Sequence, residues 1–213
     1  MRNPMNNSTK FALGLTFVGT LIGLLFSYAV YFGLKETSDA KFCALCHEME
    51  PMILSYHQDV HGGAGRTGIQ VDCVACHMPH ESLLGYIFTK AKNGVVEGSI
   101  KFFHGTDHIN WVKNRANRDQ FVFDSGCLEC HREIIDPREG RETQAVRMHE
   151  HYKKLLNTPQ KIACASCHTD TGHQSLRTIL NYYKPEFEIY QDALQEDKER
   201  FMKSLRKPAP ILP

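Results

Sequence analysis

The residues of this chain best placed to do chemistry are its eight cysteines. They fall as four pairs, each with two residues between and a histidine directly after: Cys43 and Cys46 before His47, Cys73 and Cys76 before His77, Cys127 and Cys130 before His131, and Cys164 and Cys167 before His168. Two thiols three positions apart can add across the two vinyl groups of one haem, and a histidine immediately after the second is then held under the iron as an axial ligand. Disulfides and zinc sites are the other common uses of paired cysteines. Neither places a demand on the following residue, whereas all four pairs are followed by histidine. The pattern predicts four covalently bound c-type haems. Successive first cysteines are 30, 54 and 37 residues apart, so the units are not a simple tandem repeat.

Each iron also has a second axial position to fill. Eight histidines stand outside the motifs: His57, His61, His80, His104, His108, His149, His151 and His173. Supply exceeds demand, and any one of them taken alone serves equally well as a surface or core residue. The charge balance narrows the partners instead. With 25 basic against 24 acidic residues and a formal net charge of +1, the chain has no electrostatic footprint for nucleic acid.

The elements that must position these groups begin with a membrane anchor. Residues 11–34 are 24 consecutive residues without a charge, enough for a helix of roughly 36 Å against a hydrocarbon core of about 30 Å. A cleaved signal peptide has a shorter apolar core and a small-residue cleavage site, which SYAVYFGLKETSDAKF does not offer. Arg2 and Lys10 precede the helix without an acid between them, so the positive-inside bias predicts a cytoplasmic N-terminus and an extracytoplasmic haem domain. Gly19 and Gly23 form a Gly-x-x-x-Gly pair that could support a homo-oligomer through the helix, although glycine is also common in membrane helices generally.

Beyond the anchor, about 45 residues per haem is too little chain to bury a sufficient core unaided, so the porphyrins must supply much of it. The expected fold is mainly α with little regular structure and little sheet, short helices and loops packed around the haems. The predicted organisation is a cytoplasmic tail over 1–10, the anchor over 11–34, a tetrahaem domain over 35–181, and a C-terminal amphipathic helix and tail over 182–213. In that last segment Pro185 can start a helix, Pro208 can end it, and Phe187, Tyr190, Leu194, Phe201 and Leu205 recur at helical spacing.

An N-terminal anchor followed by four haem motifs, with CHEMEP from Cys46 to Pro51, CHMPH from Cys76 to His80 and AVRMH from Ala145 to His149, resembles the NapC/NirT/NrfH family of membrane tetrahaem cytochromes. The resemblance spans roughly residues 8 to 175 and is closest to the NrfH branch in its first-haem motif. It implies electron transfer between the membrane quinone pool and a periplasmic multihaem redox enzyme. It also implies that Met49, two residues after the attachment histidine, ligates the first iron, with His47 as the alternative ligand. Lys90 and Glu97 show the seven-residue spacing of the branch's quinone-site lysine and distal carboxylate, with Glu where the branch has Asp; Lys92 is the competing lysine. For the other irons the resemblance pairs His77 with His173, His168 with His61, and His131 with His149, with His151 as a fallback.

Only eight residues separate Leu34 from Cys43, so the first haem can lie no more than roughly 30 Å beyond the helix end, at the lipid surface where quinone headgroups reside. Quinol oxidation requires an electron acceptor, a proton acceptor and a group to hold the quinone oxygens, roles that suit the first haem, Glu97 and Lys90. The expected function is oxidation of menaquinol or ubiquinol with delivery of electrons to a periplasmic reductase, of the nitrite reductase type on the evidence of the methionine motif. Two alternatives stand beside it: a quinone reductase fed by a periplasmic multihaem oxidase, and a relay anchor without quinone chemistry. A pyridine haemochrome assay of the purified protein should return four haems per chain, where a zinc or disulfide protein would return none.

Overall fold

The computed structural model describes residues 6–135, 143–184 and 203. Ten α-helices run in chain order through the described residues, with only an isolated bridge between Gly62 and Gln70 in place of a sheet. The first, α1, spans Asn7–Glu36 and buries none of its side chains. At 1.5 Å per residue it is about 45 Å long, and the uncharged segment 11–34 lies wholly inside it. An apolar helix exposed on every side is suited to lipid, not water. Gly19 and Gly23 face open space on its surface.

The end of α1 is closed by side chains. Thr37 Oγ1 donates to Gly33 O at 2.7 Å, the Ser38 hydroxyl donates to Leu34 O, and the Lys90 ammonium donates to Leu34 O and Thr37 O. These groups satisfy carbonyls that a helix C-terminus leaves without intrahelical partners, and the lysine also meets the negative end of the helix dipole.

The last three attachment motifs each place their cysteines in about one helical turn, and the first leaves α2 as a tight turn, because thiols three positions apart must lie on one side to reach one porphyrin. Cys43 ends α2 (Ala40–Cys43), and a 3-10 turn His47–Met49 leads into α3 (Glu50–His57). The second motif is α4 (Cys73–His77), the third lies in α7 (Asp124–Cys130), and the fourth is α9 (Cys164–Cys167). Between them run α5 (Leu83–Ser99), continued by a π-turn Ile100–His104, then α6 (Trp111–Ala116) and α8 (Gln144–Leu155). The last described helix, α10 (Leu176–Tyr183), packs on α3 and supplies Ile179 and Leu180, which are fully buried beside Ser55.

α10 runs through the domain boundary expected at 181, because Leu176, Ile179 and Leu180 hold the whole helix against α3 and Pro185 stands only after Lys184. The expected C-terminal helix, with Phe187, Tyr190, Leu194, Phe201 and Leu205, lies outside the described residues.

α4 and α7 cross closely. A Cβ added at Gly126 would overlap the Ala75 carbonyl oxygen, and Phe123 N–H donates to Cys76 O at 2.9 Å. Gly126→Ala should therefore push the second and third motifs apart at a cost of about 1–3 kcal/mol. Thermal unfolding followed by circular dichroism should show a Tm lower by about 3–10 °C.

Candidate functional site

Metal–imidazole bonds of about 2 Å set two rings on opposite sides of one iron about 6 Å apart, centre to centre. Three histidine pairs have that spacing: His77 with His173, His61 with His131, and His149 with His168, each at 6.1 Å. The hydrogen bonds on their far nitrogens point the same way. His77 Nδ1 faces Phe121 O at 2.8 Å, His61 Nδ1 faces an Asp59 oxygen at 2.8 Å, and His173 Nδ1 faces Ser55 Oγ at 2.9 Å and Met52 O at 3.2 Å. An Nδ1–H donated in this way leaves Nε2 with a free lone pair, the form that binds a metal. Burial also holds the His173 pKa down to about 4 and lowers that of His77, which favours the neutral imidazole that ligation needs.

His80 shows the contrast. Its Nδ1 lies 3.1 Å from Glu129 and its Nε2 3.1 Å from Val74 O, so neither nitrogen is free for iron. Instead the ring bridges the second and third motifs.

His77 and His173 stand together as the resemblance implies, but the other two pairs are exchanged: His61 faces His131 and not His168, and His149 faces His168 and not His131. Two aspartates fasten the segments that carry these histidines. Tyr152, one turn after His149 on α8, donates to Asp124 Oδ2 at 2.9 Å, and Asp124 Oδ1 accepts the Cys164 N–H at 2.8 Å. Asp124 is itself the first residue of α7, so α8 is fastened where the third-motif helix meets the fourth motif. Asp59 holds both the backbone N–H and the ring of His61 and lies near Cys76, which is itself near Cys130, so His61 is carried toward the third motif.

The motifs stand side by side in chain order. The Cys43 and Cys73 thiols are within hydrogen-bond reach, Cys76 and Cys130 interact electrostatically, and Cys127 and Cys164 are again within hydrogen-bond reach. Arg118 anchors the fourth motif through Nε to Ala165 O at 2.6 Å, and Arg115 pairs with Asp170 at 2.7 Å.

The first motif differs from the rest. His47 pairs with no other imidazole among the described residues and its side chain is 82% exposed, with Nε2 3.4 Å from Glu48, while Met49 is half-buried in the 3-10 turn. Glu48 is buried and bound by the Lys101 ammonium and, at 3.0 Å, by the Thr106 hydroxyl. Chiefly through that lysine its pKa is held down to about 2.

On α5, Lys90 and Glu97 both lie close enough to Cys43 to act on it electrostatically. Lys90 Nζ donates to Leu34 O at 3.0 Å, Thr37 O at 2.9 Å and Ser38 Oγ at 2.8 Å. All three of its hydrogens are thus taken up by the chain. Desolvation lowers the pKa of Lys90 and raises that of Glu97, although Glu97 keeps solvent access on the surface of α5. Lys92 is exposed.

The residues present fit haem. All eight thiols are free, and among the described residues no three of His, Cys, Asp or Glu converge on a point where a zinc ion could sit. Few side chains are buried, which leaves the motif faces to be covered by a large apolar group. Arg115 Nε is buried without a partner, a donor suited to the carboxylate of a porphyrin propionate. Sequence reasoning did not select Arg115, Asp124, Asp59 or Glu48; the types are common, and only their burial beside the motifs distinguishes them.

An N-terminal lipid-facing helix, four Cys-x-x-Cys-His turns in contact and three opposed imidazole pairs define a membrane-anchored multihaem cytochrome c. The chain belongs to the NapC/NirT cytochrome c family, whose N-terminal region matches residues 5–178. It is similar to the tetraheme c-type cytochrome CymA of Shewanella oneidensis, with 30% identity over 180 residues that cover 78% of this chain and 92% of the relative. It is also similar to the cytochrome c-type protein NapC of Haemophilus influenzae, with 26% identity over 183 residues covering 78% and 83%. The cytochrome c-type protein TorC of Escherichia coli is 25% identical over 177 residues, covering 76% of this chain and 42% of the relative. No solved structure matches the chain. The four motifs accordingly carry four covalent c-type haems, and the protein is an electron-transfer cytochrome.

The exchanged pairs are open to test. His61→Ala should leave one haem high-spin and able to bind carbon monoxide. Peroxide-driven oxidation at that open iron, mapped by mass spectrometry, should fall on the third-motif peptide around Cys127–His131 and not on the fourth.

Proposed function

We propose that the protein oxidises membrane quinol on the outer face of the bacterial inner membrane and passes the electrons to a periplasmic multihaem reductase. The observation that carries this reading is the meeting of Lys90, Glu97 and Cys43 at the end of α1. It brings a proton acceptor and a haem attachment point together where the chain leaves the bilayer. Arg2 and Lys10 before the helix support the orientation, with the N-terminus cytoplasmic.

Quinol oxidation gives up two electrons and two protons. The haems supply one-electron acceptors whose potentials follow axial ligand, burial and hydrogen bonding. Glu97 takes a proton: its upward-shifted pKa brings its basicity closer to what general-base transfer near neutral pH requires. Lys90 acts differently from a freely donating quinone ligand. With its three hydrogens engaged, it fixes the end of α1 beside the site and lends positive charge there. Met49 ligates the first iron in this reading, which leaves His47 exposed. The methionine motif also favours a reductase of the nitrite reductase type, whereas the relatives named NapC, CymA and TorC favour membership of the wider family.

Glu97→Gln should slow haem reduction by a menaquinol analogue by about 100-fold and leave dithionite reduction of all haems intact, as read by anaerobic stopped-flow absorption. Wild-type rates in the variant would remove Glu97 from the reaction. Lack of quinol-driven reduction in the unmodified protein would set aside the quinol dehydrogenase reading altogether.

A further inference from the structure

α5 has a second face that the electron-transfer role leaves unused. Projected at about 100° per residue, Leu84, Phe88 and Val95 on α5 fall within about 40° of one another, with Lys90 and Glu97 about 140–160° round the helix, and Phe102 and Phe103 follow on the π-turn that continues it. The stripe is exposed: 80% at Leu84, 71% at Phe88, 70% at Val95 and 82% at Phe102. Phe103 beside it is also 82% exposed. Lys90 and Glu97 act on Cys43 of the first motif, so the stripe lies on the side of α5 turned away from that attachment point. A contiguous apolar strip of this length facing water is unusual and marks a contact surface.

The position of α5 identifies the occupant. Lys90, near the middle of the helix, is bonded to Leu34, Thr37 and Ser38, so α5 lies at the level where the membrane helix leaves the bilayer. Its 17 residues extend about 25 Å, and exposed Lys92 flanks the stripe on the side away from the first motif, where an ammonium can meet an anionic headgroup. We infer that α5 and the π-turn after it form an interfacial amphipathic helix, its Leu84–Phe88–Val95–Phe102 stripe sunk into the boundary between headgroups and acyl chains. The surface continues the contact that α1 already makes with lipid and holds the first motif down on the membrane independently of any quinone chemistry.

The test uses the full-length haem-loaded protein in nanodiscs of phosphatidylethanolamine and phosphatidylglycerol carrying a photoactivatable group in the acyl chain. After illumination, peptide mass spectrometry should find lipid adducts on residues 83–103 as well as on α1, and none on α8. The double substitution Leu84→Asp and Phe88→Asp should reduce adducts on 83–103 by about 10-fold while the α1 adducts and the haem count persist. Adducts confined to α1 in the unmodified protein would overturn the inference. So would crosslinks from the stripe to a second copy of the chain or to residues 187–205 in place of lipid.

Discussion

An octahedral iron in a porphyrin accepts protein ligands only from opposite faces of the ring, and the described fold is organised around that requirement. A histidine fixed beside its cysteines needs a second donor about 6 Å away, and nothing nearby in the chain supplies one for the second or third motif. At that spacing His77 faces His173, beyond the fourth motif, and His131 faces His61, before the second. These reciprocal pairings cross the sequence in opposite directions and lock early and late segments together. The α3–α10 contact, with its fully buried Ile179 and Leu180, follows from the first of them, since Ser55 and Met52 on α3 orient His173.

Because the protein core is so small, polar anchors do work that apolar packing does in larger domains. Asp124 illustrates the cost structure. Its side chain is 8% exposed, it accepts from Tyr152 and the Cys164 N–H, and Lys161 stands 3.7 Å away. Losing it would orphan two buried donors, each worth about 1–3 kcal/mol. Arg115 and Arg118 hold the same fourth motif and the loop after it, and Asp59 holds His61, so a few directional bonds fix how these segments stand against one another. Hydrophobic bulk alone would not set it.

What could be read from the sequence was local. The Cys-x-x-Cys-His turns and the 24 uncharged residues of the anchor each contain their own signal, a spacing of three and a length, and the structure realises the anchor and the cysteine pairs of the last three motifs as α-helix, the first motif as a turn after α2. The spacing of seven between Lys90 and Glu97 likewise placed two residues on one face of α5. Ligand pairing was a different kind of information. Where α8 carries His149 depends on long-range fastenings such as the hydrogen bond between Tyr152 and Asp124, 28 positions earlier. No periodicity encodes such a bond. The fate of Lys90 was hidden for the same reason: its partners are backbone carbonyls at a helix end, which look like any other residues in the sequence.

The Lys90 clamp also joins two parts that many anchored proteins keep apart with a slack tether. Here the ammonium grips the final carbonyls of α1 while Ser38 O accepts the Val74 N–H from the second motif at 3.5 Å, so membrane helix and haem domain turn as one rigid lever. Helices respond to bilayer thickness by changing tilt. A change of tilt in α1 is therefore carried into the haem domain through these bonds, where a slack tether would absorb it.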